Sequence, residues 1–84
     1  MKHFASPQFW DCYNRLPAAV QHLADKCYEL IKEDPQHPSL CLKKVGQYYA
    51  ARVGLHYRVL AVEAPDGLVW FWIDSHAEYD KIVG

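Results

Sequence analysis

Eighty-four residues, 51% of them apolar and 14% aromatic, make one domain with a modest core and exclude a disordered chain. The formal charge of −1 hides an uneven distribution: residues 35–62 hold four Lys/Arg and no acid, and the remainder holds five Lys/Arg and all ten acids. No apolar run approaches the ~20 residues of a membrane span, and the first residues lack the apolar core of a signal peptide, so a cytoplasmic protein is expected.

In chain order, Ser6-Pro7 reads as an N-cap followed by proline at the first helical position. Phe9, Trp10, Tyr13 and Leu16 recur at helical spacing until Pro17, which ends that helix and can open the next. Val20, Leu23, Cys27, Leu30 and Ile31 make one apolar stripe. Asp34-Pro35 stops it, because a residue before proline avoids the helical region. Residues 7–33 are therefore predicted as a helical hairpin. His37-Pro38-Ser39 is a loop. Strands are predicted over 40–45, 48–53 (turned by Gly54-Leu55) and 56–63. The turn Ala64-Pro65-Asp66-Gly67 leads into a fourth strand over 68–74, apolar throughout and therefore central. Ser75 with Glu78 three residues on is a capping box for a short last helix. Helices followed by strands indicate an α+β fold. The expected architecture is an N-terminal helical hairpin on one face of a small antiparallel β-sheet of about four strands, with a short C-terminal helix. The opposite face should be partly open, since little chain remains to cover it.

Cys12, Cys27 and Cys41 are odd in number and lack C-x-x-C spacing, so they are read as reduced, buried small hydrophobes. The five histidines show no H-x-x-x-H or Cys/His pairing, and neither a metal nor a cofactor is expected.

A cationic mid-section on an otherwise acidic domain is the footprint of a polyanion or an acidic partner. Closing the 64–67 turn as a hairpin sets Arg58 opposite Ile73, near the start of the last helix and hence near His76 and Tyr79. Arginine, histidine and tyrosine around one point suit RNA cleavage by internal attack, which needs a base, an acid and positive charge at phosphorus. Each residue also has a structural reading. Arg58 can pair with Asp74 or Glu78, His76 can be a surface residue, and Tyr79 can simply pack its ring. Lys43 and Lys44 can be a solvated strand end, and Arg52 can hold a turn. Trp70 and Trp72, taken as sharing a face, can be core or can stack bases.

Several segments together resemble the RelE/ParE superfamily of type II toxins. They are Phe9-Trp10 and Leu16-Pro17, Asp34-Pro35-Gln36-His37-Pro38-Ser39-Leu40, Lys43-Lys44-Val45-Gly46, Tyr48, Arg52-Val53-Gly54 and Tyr57-Arg58-Val59-Leu60. Val69-Trp70-Phe71-Trp72-Ile73 and the H-x-x-Y-D run His76-Ala77-Glu78-Tyr79-Asp80 close the series. The resemblance implies a single toxin domain over 1–84, a helical hairpin on a small sheet with a concave opposite face, and a RelE-like activity: metal-independent mRNA cleavage in the ribosomal A site. It also implies a small antitoxin, acidic and partly disordered, that wraps the toxin, the pair binding its own operator DNA. Mapped onto this chain, Arg58 falls at the phosphate-binding strand arginine, His76 and Tyr79 in the terminal catalytic region, and Lys43, Lys44 and Arg52 among the RNA-backbone contacts. The same family contains gyrase-poisoning ParE-like members, and a non-toxic binding or regulatory member is the third reading. Two departures stand out. Asp74 takes a position usually occupied by glycine, and the histidine–tyrosine spacing is shorter than in the common H-R-x-x-x-Y form.

Overall fold

A computed structural model describes residues 2–83. These residues form three α-helices, one 3₁₀ turn and a five-stranded mixed sheet. The strands are β1 (Lys2–Ala5), β2 (Lys43–Val45), β3 (Tyr48–Val53), β4 (Tyr57–Ala64) and β5 (Gly67–Ser75), in spatial order β1-β5-β4-β3-β2. The helices are α1 (Pro7–Asn14), α2 (Ala18–Glu33) and α3 (His76–Val83).

The local signals at the helix ends act as expected. The Ser6 hydroxyl accepts from the Phe9 N–H at 3.3 Å, with Pro7 at the first helical position. Pro17 stands just outside α2, and its carbonyl accepts from the N–H groups of Val20 and Gln21 at 2.9 and 3.0 Å. Of the predicted α2 stripe Cys27 and Ile31 are buried, joined by Ala24, whereas Val20 and Leu30 are half-buried and Leu23 is exposed. The two helices are unequal, however. α1 has about two turns and rests chiefly on β5, whereas α2 is twice as long and reaches β3. The Tyr13 hydroxyl donates to Asp25 at 2.8 Å, and the Gln21 amide donates to the Tyr13 carbonyl at 3.0 Å, tying them together. The expected hairpin is thus a short arm and a long one on the same side of the sheet.

Two expectations are corrected. The sheet has a fifth strand, β1, which pairs in parallel with β5 from Lys2↔Gly67 to Ala5↔Trp70. It makes the sheet mixed, and it places β5 in the interior between β1 and β4. The strand predicted over 40–45 shrinks to Lys43–Val45, because Pro38–Leu40 forms a 3₁₀ turn instead. His37 caps that turn, its Nδ1 accepting from the Ser39 N–H at 3.1 Å, and Cys41 follows in the left-handed region at φ 46°. On the second sheet face α3 folds back onto β4 and β5, while Tyr48, Phe71 and Trp72 there stay only partly buried.

The sheet consequently has two packed faces. On one, α1 and α2 cover Ala51, Val53, Val59, Ala61, Leu68, Trp70 and Ile73. On the other, Tyr79 of α3 covers Ala50 and Leu60, with Val45, Tyr48, Phe71 and Trp72 around them. Trp70, Ile31, Leu40, Leu60, Leu68 and Ile73 are fully buried, at roughly 1.5–3 kcal/mol of transfer free energy for each aliphatic or aromatic side chain.

The cysteines are all free, but only Cys27 is buried. Its thiol donates to the Arg52 carbonyl at 3.5 Å, and burial pushes its pKa up to about 11. Cys41 is exposed because it sits at the left-handed corner after the 3₁₀ turn, with Cys12 intermediate, so the reading of three buried thiols holds for one.

Candidate functional site

The face carrying α3 is organised in rows by the strand register. Arg52 of β3 stands directly opposite Arg58 of β4, and Arg58 stands directly opposite Asp74 of β5. The next row is Lys43, Ala50, Leu60 and Trp72 across β2, β3, β4 and β5. Residues two apart on a strand share a face, so Arg52 and Ala50, and Arg58 and Leu60, lie on the same side. Tyr79 covers the second row, which sets α3 beside the arginine row.

The sequence reading set Arg58 against Ile73. The register shows Asp74 there instead, and Ile73 faces Val59. The cause is a β-bulge: Ala61 pairs with Trp70 and Leu60 with Trp72, leaving Phe71 as the extra residue. The same bulge separates the two tryptophans. Trp70 is buried beneath α1 and α2, whereas Trp72 lies on the α3 face with Phe71 and Tyr48. The Tyr48 and Phe71 rings are 5.6 Å apart. Beside them opens a shallow hollow of about 530 Å³ bounded by Gln47, Tyr48, Val62, Glu63 and Phe71. Of the two tryptophans offered for base stacking only Trp72 lies on this face, and Phe71 joins it, because Val69-Trp70-Phe71-Trp72-Ile73 is apolar without alternation and gives no sign of where an extra residue enters.

Two like charges directly opposite each other on neighbouring strands destabilise a sheet. Among the described residues neither Arg52 nor Arg58 makes an ion pair within 4 Å. The Arg58 guanidinium donates to the Tyr57 carbonyl at 2.8 Å. The Asp74 carboxylate is engaged by its neighbour, accepting from the Ser75 N–H at 2.7 Å, and Glu78 is bridged to Lys81 at 3.2 Å. Neither of the two acids offered as structural partners therefore neutralises Arg58 directly. Among the described residues the two guanidiniums make no other hydrogen bond to protein, on a half-buried surface that suits an anion.

Ser75 caps α3, its hydroxyl accepting from the Glu78 N–H at 3.3 Å. The Glu78 carboxylate turns to Lys81 rather than completing the reciprocal half of the box. The His76 N–H donates to the His56 carbonyl at 2.7 Å, which fastens the start of the helix to the end of the β3–β4 turn. The His76 ring lies 5.9 Å from the Tyr79 ring, with Nδ1 3.2 Å from the Asp80 carboxylate. Tyr79 is 7% exposed. Its hydroxyl makes no hydrogen bond among the described residues and is not one of their buried unpartnered atoms, so it reaches solvent while the ring packs.

The two lysines part company. Alternation sends Lys43 to the α3 face with Val45, and Lys44 to the opposite side, where its ammonium lies 5.9 Å from the Tyr49 ring. Arg52 also borders a groove of about 310 Å³ on the α2 side, shared with Leu23, Lys26, Leu30, Leu40 and Leu55. Leu55 is 76% exposed there. Among the described residues no group of three or more His, Cys, Asp or Glu is placed to hold a metal ion, and no helix is long and apolar enough to cross a membrane.

No protein-family model matches the chain, and no curated protein matches its sequence. Solved structures do match its backbone. The RelB-RelE antitoxin-toxin complex from Methanococcus jannaschii aligns with a TM-score of 0.73 at 15% identity, covering 96% of this chain and 99% of that one. A copper-bound mutant toxin from Helicobacter pylori aligns with a TM-score of 0.61 at 17% identity, covering 93% and 97%. The chain has a RelE-like α+β fold over nearly its whole length.

Proposed function

We propose that this protein is the toxin of a type II toxin–antitoxin pair, acting in the cytoplasm as a metal-independent endoribonuclease that cuts mRNA in the ribosomal A site. The observation that carries the reading is the pair Arg52 and Arg58, opposed across β3 and β4 without an acidic partner in contact, beside a helix whose Tyr79 packs on the same face with the His76 ring 5.9 Å from it. The RelE-like backbone supports it.

In the proposed step the ribose 2′-oxygen bonds to the adjacent phosphorus while the bond to the 5′-oxygen breaks, leaving a 2′,3′-cyclic phosphate and a 5′-hydroxyl. Arg58 offers a planar, permanently charged donor set to the crowded phosphate as charge builds on its oxygens. One of His76 and Tyr79 takes the 2′-proton and the other supplies a proton to the departing 5′-oxygen. Arg52 and Lys43 hold the flanking backbone from the same face, and Trp72, Phe71 and Tyr48 offer aromatic surface to unstacked bases. Lys44 reaches the RNA only past the sheet edge and contributes less. An acidic antitoxin segment fits the α2-side groove, where exposed Leu23 and Leu55 stand beside Lys26.

A second reading is favoured by one observation. Asp74 sits directly across from Arg58 and keeps a negative charge where phosphate would come. A RelE-fold protein that binds partners without cleaving RNA would tolerate that charge.

Inducible expression of wild type, Arg58→Ala and His76→Ala in an antitoxin-free bacterium separates these readings when amino-acid incorporation and plasmid supercoiling are followed together. The ribonuclease reading expects a fall in translation that both variants relieve, with cleavage by purified Arg58→Ala down by roughly 10²–10³-fold. Undiminished mRNA cutting by Arg58→Ala sinks the assigned site. A fall in supercoiling moves the target to gyrase, and folded wild type without any growth defect leaves the binding role.

A further inference from the structure

On the side of the sheet away from Arg58, α1, α2 and β5 enclose a recess of about 200 Å³. That is the space of about seven liquid waters at ~30 Å³ each. Phe9, Trp10 and Tyr13 of α1, Tyr28 of α2 and Trp70 of β5 line it. The α1 rings stand as walls at right angles. Trp10 meets Phe9 at 5.0 Å and 83°, and Tyr13 at 5.2 Å and 78°. Trp70 and Phe9 are buried and form the floor, whereas Trp10 is 49% exposed at the rim.

The polar groups here carry one sign. Asp25 and Glu29, one turn apart on α2, border the recess, Glu29 being bridged to Lys32 at 3.1 Å, and among the described residues no Lys, Arg or His lines it. The Tyr13 hydroxyl donates to Asp25 Oδ1 at 2.8 Å, which fixes that carboxylate at the mouth and leaves its second oxygen without a hydrogen bond among the described residues. The hydrogen bond to Asp25 in turn raises the Tyr13 pKa, so the phenol stays protonated and keeps donating to that carboxylate. One of these rings already holds a cation on its outer side, the Lys32 ammonium lying 4.9 Å from the Tyr28 centroid. Aromatic faces attract cations through their quadrupole, and recognition of quaternary ammonium by several rings is the established use of that attraction.

We propose that this recess is a binding site for a small organic cation of the alkylated or quaternary ammonium class, held by the aromatic walls and the Asp25 carboxylate. A bare metal ion is poorly served, because two carboxylates supply too few oxygens for a hard cation and most of the lining is apolar. An anion meets the Asp25 carboxylate at the mouth, where among the described residues no cation lines the recess. A neutral apolar molecule fills the space but gains nothing from Asp25 or from the ring electrostatics. The occupant touches α1, α2 and β5 together, so it braces the short helix α1. The site is independent of the ribonuclease reading, since none of its residues lies on the α3 face.

The test uses the full chain, choline and tetramethylammonium as probes, and 3,3-dimethyl-1-butanol as the uncharged isostere of choline. Binding is followed by the indole N–H resonances of the three tryptophans. The expected result is a saturable shift of Trp10 and Trp70, with Trp72 unmoved on the opposite face as an internal control. The uncharged isostere should bind at least fivefold more weakly, and so should choline to Trp10→Ala or Asp25→Asn. Asp25→Asn keeps the shape of the pocket, so it decides the matter if Trp10→Ala alters the fold. Equal binding of the isostere, or a response to choline no different from potassium chloride at matched ionic strength, overturns the proposal.

Discussion

Replacing Gly67 with alanine tests the element that sequence patterns did not reveal, the parallel strand β1. A Cβ at Gly67 would run into the Lys2 carbonyl oxygen, with the Lys2 carbonyl carbon and nitrogen at 2.7 and 2.8 Å. These are backbone atoms of the adjacent strand, so no rotamer change relieves the clash and β1 must move. Its ladder to β5 includes the Lys2 N–H to the Asp66 carbonyl at 3.2 Å and the Ser6 N–H to the Trp70 carbonyl at 3.0 Å. His3 adds two side-chain links, accepting from the Trp70 indole at 3.2 Å through Nδ1 and from the Tyr28 hydroxyl at 3.2 Å through its carbonyl. Losing only the Lys2 bond costs about 0.5–1.5 kcal/mol, and losing all four costs roughly 2–6 kcal/mol at the same value per bond. A chain of this length has a total stability of about 4–13 kcal/mol, taken at ~0.05–0.15 kcal/mol per residue. The variant should therefore remain folded but unfold at markedly lower urea, with amide exchange at Phe4 and Ser6 accelerated while the β3–β4 amides keep their relative protection. Gly46→Ala is the control. It is strained at φ 61° but meets no atom within 4 Å, so it should cost about 1–2 kcal/mol and leave β1 exchange unchanged. Unaltered stability and unaltered exchange at Phe4 in Gly67→Ala would refute the parallel pairing.

The remaining predictions concern titration, reactivity and the candidate site. Burial and nearby positive charge lower the His3 pKa below its usual 6.5, so the fold prefers the neutral ring. That contribution is complete above pH ~6.5 and is lost as pH falls through the lowered folded-state value; melting temperature should drop less between pH 7.5 and 5 in His3→Gln than in wild type. Iodoacetamide on the native protein should modify Cys41 first and Cys27 only after unfolding, since the Cys27 thiol is buried with a pKa of about 11. Rapid native labelling of Cys27 in mass spectra would contradict its burial between α2 and the sheet. Asp74→Asn removes the charge opposite Arg58 and should tighten single-stranded RNA binding by up to about fivefold, the range of one partly exposed charge interaction; weaker binding in a filter assay would show that Asp74 instead helps to hold Arg58 in place.

Helices, turns and the α+β class are written locally in this chain, and the reason is that their signals act over a few residues. Ser6 and Ser75 hydroxyls reach N–H groups three positions on, prolines stop helices where they stand, and the turn before Gly67 closes a hairpin between neighbours in sequence. The cationic mid-section and the candidate residues Arg52 and Arg58 were legible for the same reason. Strand alternation also separates Lys43 from Lys44, a consequence already present in the sequence though not in the pairing first drawn from it. What tertiary structure alone decided involves partners far apart along the chain. β1 finds β5 more than sixty residues away, and four residues are too few to display a periodicity of their own. The bulge at Phe71 shifts the register by one residue, which sets Asp74 instead of Ile73 against Arg58 and sends Trp70 and Trp72 to opposite faces. A one-residue slip changes every side-chain neighbour beyond it. Trp70 packs with α1 and α2 on one face and Phe71 and Trp72 with α3 on the other, and an unbroken apolar run carries no mark of that division.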